Sequence, residues 1–371
     1  MRVALVHDWL VTQRGGENVL LELCRLFPAA TVHTLVHAHG RVHPDIEAHP
    51  IVTSFVQHLP GAPAHFRQYL GLFPAAIERF DLRGFDLVFS TSHCVAKGVR
   101  TGVGQLHVSY VHTPMRYIWD QMPEYLARLP AAALLSPLAR LAARALRRWD
   151  VASAARPQVL LANSEFVRER IAKVWRRDAT VVYPPVDVDF YAAASPVERH
   201  GYLVVSALVP YKRVELAVQW ATRTGSELTV VGDGGELARL RHEAGPSVSF
   251  ARDFGPTELR LAYARAEALL FCGVEDFGIV PVEAQAAGCP VVALGRGGAL
   301  ETVVGQGERA TGVTFAEPSV EALSAAIDAL TARRTRGDFS RAALLAQARR
   351  FDRATFVREI RRILVEQGVD A

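Results

Sequence analysis

Short apolar runs alternate with longer amphipathic stretches along most of the chain. The stretches between the runs carry apolar residues at helical spacing, which predicts helices. Strands that alternate with helices are typical of doubly wound parallel sheets, so the pattern predicts an α/β protein. The apolar runs predict strands at 2–7, 31–36, 85–90, 105–111, 159–163, 180–183, 202–205, 228–231, 248–250, 268–271 and 291–294.

The most distinctive segment lies between the last two of these strands and reads EDFGIVPVEAQAAGCPVV from Glu275 to Val292. A helix is expected to start near Pro281, because proline suits the first helical turn. Gly288 and Pro290 are expected to end it before the next strand. The segment therefore predicts a strand–loop–helix–strand unit.

The start of this helix is a candidate anion site. The first N–H groups of a helix have no acceptor within the helix, so those of Gly278, Ile279 and Val280 can face one anion. Glu275 and Glu283 flank these groups. Two carboxylates around an anion site suit a ligand with hydroxyl groups at both ends and negative charge between them, as in a nucleotide sugar.

The same segment resembles the paired-glutamate motif of the retaining glycosyltransferases of family 4, whose two glutamates have seven residues between them. The resemblance implies the GT-B fold, with two doubly wound Rossmann-like lobes that face a central cleft. It also implies that Glu275 holds hydroxyl groups of the donor sugar and that Glu283 holds the ribose. By the same resemblance, Phe277 is also predicted to bind the donor.

A second segment, VPYKR, follows the strand at 202–205 and resembles a family loop whose lysine contacts the donor diphosphate. A cation at a strand-to-helix loop can neutralise a diphosphate. Lys212 is therefore predicted to be catalytic, and Arg213 is a donor-binding candidate. The family often has Gly-Arg just after this strand, whereas this chain has Ser206 and Ala207, which removes one expected positive charge.

Two further loops at strand ends resemble donor-side loops of the family. Gly232 and Asp233 belong to a G-D-G turn that would lie beside the donor, and Arg252 belongs to a region that would lie along the nucleotide base. Each glycine turn by itself is also compatible with a simple connection. Their succession at strand ends of one lobe predicts a nucleotide site.

The N-terminal part begins with a strand, the glycine pair Gly15 and Gly16, and a helix. Glycines at this position let a backbone approach a ligand closely. They do not form the G-x-G-x-x-G fingerprint, which disfavours a dehydrogenase. By resemblance, this pair is the glycine-rich loop near the donor phosphate and the acceptor.

The segment HTPMRYIWD follows the strand at 105–111 and is similar to the H-T-P-x-R-Y-x-W-D segment of a mannosyltransferase-like branch of family 4. Ligands of open α/β sheets bind at this edge. The resemblance implies that His112 lies beside the reacting sugar and is catalytic. Arg116 and Asp120 are implied on the acceptor side.

We expect no metal and no cofactor. His33, His37, His39 and His43 crowd one region, but their spacing matches no zinc pattern and acidic partners are few. The 187–189 segment is a D-x-D, which holds a metal-bound diphosphate in GT-A enzymes. Here it follows two prolines, and we interpret it as turn chemistry.

Residues 131–149 predict a basic amphipathic helix, with Arg140, Arg144, Arg147 and Arg148 at three- to four-residue spacing. Such helices bind anionic membrane surfaces. A helix packed on the N-terminal lobe with a solvated arginine face has the same pattern. A lipid-linked acceptor would suit the membrane alternative.

Composition adds few constraints. The net charge of +4 suits anionic donors or lipid surfaces and is not a signature of nucleic-acid binding. No apolar run reaches 18 residues, no signal-peptide pattern opens the chain, and the four cysteines are scattered. These features predict a cytoplasmic protein, with a peripheral position at the inner face of the membrane as a second option.

The lobes are predicted at 1–192, on the acceptor side, and at 193–350, which binds the nucleotide sugar. Residues 351–371 are predicted to form a terminal helix that crosses back to the first lobe. The expected reaction is retaining transfer of a hexose, first of all mannose from GDP-mannose, to a hydroxyl of a glycan or lipid-linked acceptor. A GT-B nucleotide-sugar epimerase and a catalytically degenerate GT-B binding protein are the alternatives.

Overall fold

The computed structural model describes residues 1–119, 132–195 and 197–369. The chain forms two compact units. The first comprises Met1–Pro184 and Val357–Ala371, and the second comprises Pro185–Phe356.

The described part of the first unit contains a seven-stranded parallel sheet with the order β3-β2-β1-β4-β5-β6-β7. The order reverses between β1 and β4, which is where ligands bind in open sheets of this kind. Most of these strands are buried, because helices cover both faces of such a sheet. The strands are β1 Val3–His7, β2 Thr31–Thr34, β3 Ile51–Thr53, β4 Leu87–Ser92, β5 Leu106–Val111, β6 Val159–Ala162 and β7 Thr180–Val181.

The helices of this unit follow the predicted alternation with the strands. The Ser164 hydroxyl accepts a hydrogen bond from the Val167 N–H at 3.0 Å and so caps the helix after β6. The helices are α1 Gly15–Leu26, α2 Pro44–Glu47, α3 Phe73–Ile77, α4 Arg116–Trp119, α5 Ala132–Ser153 and α6 Glu165–Trp175, with 3₁₀ turns at Phe55–His58, Phe66–Leu72 and Ala96–Gly98.

A buried ion pair within the first unit joins α5 to the 3₁₀ turn at Ala96–Gly98. Lys97 Nζ lies 2.6 Å from Asp150 Oδ1, and the two side chains are 1% and 0% exposed. Trp119 and Trp175 donate their indole N–H groups to Asp150 Oδ2 at 2.8 and 2.7 Å. The Lys97 ammonium also lies 4.8 Å from the centre of the Trp175 ring. The charge pair is therefore enclosed by aromatic side chains.

The exposed side of α5 is basic. Arg140, Arg144 and Arg148 are exposed, whereas Arg147 donates to the Ile118 carbonyl at 2.6 Å. Residue 131 lies outside the described residues. None of the described helices is both long enough and apolar enough to cross a bilayer. Residues 140–149 thus combine an arginine face with a face packed on the unit.

The second unit has a six-stranded parallel sheet among its described residues, in the order β10-β9-β8-β11-β12-β13. The strands are β8 Tyr202–Val205, β9 Leu228–Val231, β10 Val248–Ala251, β11 Ala268–Phe271, β12 Val291–Leu294 and β13 Gly312–Phe315. The helices are α7 Val188–Ala192, α8 Val214–Thr224, α9 Leu237–Glu243, α10 Pro256–Arg265, α11 Ile279–Ala286, α12 Ala299–Thr302, α13 Val320–Thr335 and α14 Arg341–Ala348, with 3₁₀ turns at Pro210–Lys212 and Arg349–Phe351. The terminal helix α15, Arg353–Glu366, begins in the second unit, and its residues from Val357 onward belong to the first.

The boundary between the units lies after Pro184, eight residues before the predicted end of the first lobe at 192. The reason is that the segment after Pro184 is bonded to the second unit. The Val186 N–H donates to the Phe351 carbonyl at 2.9 Å, and α7 packs against α11. Asp187 caps α7 by accepting from the Phe190 N–H at 3.2 Å, so this part of the D-x-D serves as a helix cap.

Candidate functional site

Most of the donor-binding residues predicted in the second unit lie in loops at the carboxyl edge of its sheet. Parallel strands bring the loops that follow them to one edge. Lys212 and Arg213 follow β8, and the segment from Glu275 to Val280 follows β11, the neighbour of β8 in the sheet. Gly232 and Asp233 follow β9, and Arg252 follows the edge strand β10.

Lys212 and Glu275 form an ion pair between the ammonium Nζ and the carboxylate Oε1. Both side chains are largely but not fully buried, with 13% and 23% of their surfaces exposed. The sequence assigned them separate roles, whereas the structure brings them into contact. A lysine here can meet a ligand phosphate, and the adjacent carboxylate can accept hydrogen bonds from ligand hydroxyls.

Two glycines hold the Glu275 loop in place. The Gly298 N–H donates to the Glu275 carbonyl at 2.9 Å, and a Cβ at Gly298 would overlap the backbone of Phe277. A Cβ at Gly273 would lie 2.7 Å from Lys212 Cα. Only glycine fits at these two positions, because a Cβ would overlap neighbouring backbone atoms. The sequence analysis predicted no role for either residue. The run Gly295-Arg296-Gly297-Gly298 after β12 was the available signal.

The helix α11 begins at Ile279, two residues before the predicted start at Pro281. Gly278 precedes the helix with a φ of 92°, a conformation that favours glycine. The N–H groups of Gly278, Ile279 and Val280 therefore stand at the positive end of a helix, where intrahelical acceptors are lacking. The Phe277 ring is buried 5.3 Å from the Phe351 ring, so its side chain packs in the interior.

Glu283, on α11, is held by two tyrosines. The Tyr263 hydroxyl donates to Glu283 Oε2 at 2.9 Å, and Tyr191 also hydrogen-bonds to this carboxyl group. Burial raises the pKa of Glu283 to about 7, although both hydrogen bonds oppose the rise. The Tyr191 and Tyr263 rings lie 5.8 Å apart. The sequence reading missed both tyrosines, because neither belongs to the glutamate segment.

The remaining donor-side candidates are exposed around this edge. Arg213 lies 3.6 Å from Glu215, and Asp233 accepts a hydrogen bond from the Gly234 N–H at 2.8 Å. Arg252 is exposed after β10. The Ser206 hydroxyl donates to the neighbouring Ala207 carbonyl at 3.1 Å, and neither of these two residues carries a positive charge.

In the first unit, the glycine pair and His112 come together. Gly15 and Gly16 open α1, and a Cβ at Gly16 would lie 3.6 Å from His112 Nε2 and 3.7 Å from His7 Cε1. Burial, and then His93 and His7, hold the pKa of His112 well below its ordinary value. His112 Nε2 is buried and has no hydrogen-bond partner among the described residues. An unpaired nitrogen of a neutral imidazole can form a hydrogen bond with a hydroxyl group.

Asp8 is a further residue of this edge that the sequence reading missed. Its carboxylate is fully buried and accepts the backbone N–H groups of residues 93–96 at 2.7 to 2.8 Å. The turn that carries His93 is thereby fixed, and the His93 ring lies 6.1 Å from the His112 ring. A polar residue directly after β1 was the signal that could have identified Asp8.

The acceptor-side candidates are only partly described. Arg116 is the first residue of α4 and is partly exposed. Asp120 lies outside the described residues. Thr113 directly follows His112 in the chain. Its hydroxyl is buried without a hydrogen-bond partner in the described ranges. The loop after β5 thus presents polar atoms of His112 and Thr113 at the sheet edge.

Comparisons with known families cover both units. The model for Glycosyltransferase Family 4 matches residues 13–190, and the model for Glycosyl transferases group 1 matches residues 189–346. A GDP-mannose-dependent alpha-(1-6)-phosphatidylinositol monomannoside mannosyltransferase of Mycobacterium tuberculosis is 31% identical, over 46% of this chain and 57% of that protein. The counterpart from Mycolicibacterium smegmatis is 30% identical, over 46% of this chain and 52% of its own length. The matched region thus spans little more than half of these relatives.

Solved structures match the fold over nearly the whole chain. Anabaena Alr3699/HepE in complex with UDP and glucose has a TM-score of 0.70 at 18% identity, covering 98% of this chain and 99% of that one. Sucrose-phosphate synthase from Thermosynechococcus elongatus has a TM-score of 0.74 at 15% identity, covering 99% of both chains. Both agree with the two parallel-sheet units described above. The expected family and fold are thereby confirmed, and the chain belongs to the family 4 glycosyltransferases of the GT-B fold.

Proposed function

We propose that this protein transfers a hexose from a nucleotide sugar to a hydroxyl group of a glycan or lipid-linked acceptor, with retention of configuration. The Lys212–Glu275 ion pair next to the start of α11 carries the proposal. It combines a cation, helix N–H groups and a carboxylate in one loop system. Mannose from GDP-mannose is our first choice of donor, because the mycobacterial relatives are named as GDP-mannose-dependent.

In the proposed reaction the leaving group is a nucleoside diphosphate, and negative charge grows on its β-phosphate. Groups fixed in advance around that charge lower the barrier. The Lys212 ammonium and the N–H groups of residues 278–280 would supply this stabilisation. Glu275 would then accept hydrogen bonds from sugar hydroxyls, and Glu283 from the ribose. With these groups in place, we propose that the transfer needs no metal and no cofactor.

Two features of the first unit are assigned to the donor. We assign His112 to a hydroxyl of the reacting sugar and the Gly15–Gly16 backbone to the donor phosphate. Arg116 and Asp120 are proposed to meet the acceptor. The exposed Arg140, Arg144 and Arg148 would suit the anionic surface on which a lipid-linked acceptor lies.

The donor is identified by calorimetric titration of the full chain with GDP-mannose, UDP-glucose, UDP-N-acetylglucosamine and the bare nucleotides, in the presence of a chelator. Binding of one base series, followed by anomeric analysis of the product, supports retaining transfer. Conversion of the sugar without an acceptor would instead favour the epimerase. If none of the nucleotides binds, the proposal fails.

Donor binding is expected to strengthen as the pH rises from about 6 to about 8. In the protein without ligand, the pKa of Glu283 is about 7. Ribose hydroxyls bind the ionised carboxylate. At a pH below 7 the carboxyl group must therefore lose its proton when the donor binds. One pH unit below the pKa this costs about tenfold in affinity, and the effect levels off above it. Calorimetry in two buffers of different ionisation enthalpy at pH about 6.5 measures the released proton. Glu283→Gln should abolish this release, and an unchanged release would exclude Glu283 as its source.

A further inference from the structure

The side chains of His37, His39 and Glu47 come together in the first unit. None of them belongs to the predicted sugar-transfer site. His37 Nε2 lies 3.0 Å from Glu47 Oε2, and His39 Nδ1 lies 3.1 Å from the same oxygen. All three ligand atoms lie within 4.8 Å of one another. Zinc binds imidazole nitrogen and carboxylate oxygen at about 2.0 to 2.2 Å, so tetrahedral neighbours stand about 3.3 Å apart. The two separations from Glu47 Oε2, 3.0 and 3.1 Å, are close to that value.

Outer contacts fix two of these ligands. The second carboxylate oxygen of Glu47, Oε1, accepts the Gly40 N–H at 2.9 Å, which leaves Oε2 facing the two imidazoles. The Gln57 side chain holds the His37 backbone on both sides, accepting its N–H at 2.8 Å and donating to its carbonyl at 3.2 Å. Partners of this kind orient ligands in metal sites.

His37 and Glu47 approach closely without the alignment of a good hydrogen bond. His37 Nε2 is buried and, among the described residues, makes no hydrogen bond of acceptable angle despite its short distance to the carboxylate. A nitrogen that is near the oxygen but not aligned with it is suited to sharing an ion with it. The His39 side chain is 88% exposed, so solvent can reach the cluster from that side.

We propose that His37, His39 and Glu47 bind a zinc ion, with water as the fourth ligand. Two histidines, one glutamate and an open position form a ligand set that zinc adopts in proteins. The sequence did not suggest this site because Glu47 is supplied by α2, eight residues after His39 and in a different element. The ion would tie the segment after β2 to α2, and the proposed sugar transfer does not depend on it.

The test is a zinc titration of the chelator-treated full chain, by calorimetry and by competition with a chromophoric chelator. We expect one zinc ion whose affinity falls in His39→Ala and in Glu47→Gln by at least the roughly 10- to 100-fold that loss of an outer partner costs. His39 is exposed, so its replacement should leave the fold intact. His58→Ala, which removes another exposed histidine of this unit, is the matched control and should bind as the original chain does.

Cobalt substitution gives a second readout that does not involve activity. Tetrahedral Co²⁺ should produce visible absorption bands in the original chain and in His58→Ala, and these bands should be lost in Glu47→Gln. Absence of zinc binding to the original chain would overturn the proposal. Equal affinity in the original chain, His39→Ala and Glu47→Gln would overturn it as well, because the ion would then sit elsewhere.

Discussion

Replacement of Lys212 by methionine is expected to lower the turnover number of sugar transfer by roughly 10²- to 10³-fold, the usual effect of removing one preorganised group that stabilises transition-state charge. Methionine keeps most of the side-chain length and removes only the charge. In the structure the ammonium is mostly buried against Glu275, so no solvent cation can take its place as effectively. Ser206 and Ala207 carry no charge, so the cations of this loop are the mostly buried Lys212 and the more exposed Arg213.

Release of the nucleoside diphosphate at saturating donor measures this effect, and a binding titration separates it from donor affinity. Arg223→Met is the matched control, because Arg223 is an exposed cation of the same unit that pairs with Glu321 at 3.1 Å. It should retain full turnover. A Lys212→Met variant with a turnover number within about threefold of the original would contradict the assigned role, since that difference is less than 1 kcal/mol.

Replacement of Asp150 by alanine is expected to destabilise the first unit by about 3 to 5 kcal/mol, because it leaves the buried Lys97 ammonium without its counter-charge. The same change removes the acceptor of the Trp119 and Trp175 indole N–H groups. Chemical denaturation followed by tryptophan fluorescence reports on this region directly, since these indoles contact the site of change.

The surface variant Asp81→Ala is the matched control. Asp81 pairs with Arg83 at 2.6 Å, but both side chains are exposed and screened by solvent, so its loss should change the stability much less than loss of Asp150. In a double variant, Lys97→Met should recover part of the stability lost in Asp150→Ala, because the unpaired charge is then gone. Equal losses in Asp150→Ala and Asp81→Ala would show that the buried pair has no special weight.

The strands were predictable because apolar runs record burial on both faces of a parallel sheet. The run 202–205 coincides with β8, and 228–231, 268–271 and 291–294 coincide with β9, β11 and β12. The short edge strands β3 and β13 were not identified, since each is only partly buried and carries a weaker apolar pattern.

The site was predictable only as far as its residues lie in one local segment. Glu275, Glu283 and the first residues of α11 share such a segment, and Lys212 was predicted from its own loop. Their partners come from elsewhere in the chain, as Tyr191 does for Glu283 and Asp8 does for the turn at His93. Sheet order determines these encounters, and a linear pattern does not contain it. Glu47 was missed for a different reason, because it lies on α2, eight residues after His39.

The contacts that position Glu275 also decide whether the glutamate segment could function in another protein. One short segment contains both glutamates, yet Lys212 and Gly298, which restrain Glu275, come from the loops after β8 and β12. Tyr191 and Tyr263 restrain Glu283 from two other helices. The segment grafted onto another scaffold would therefore carry the two carboxylates without their positions. Engineering of this site has to treat the whole sheet edge as its smallest transferable part.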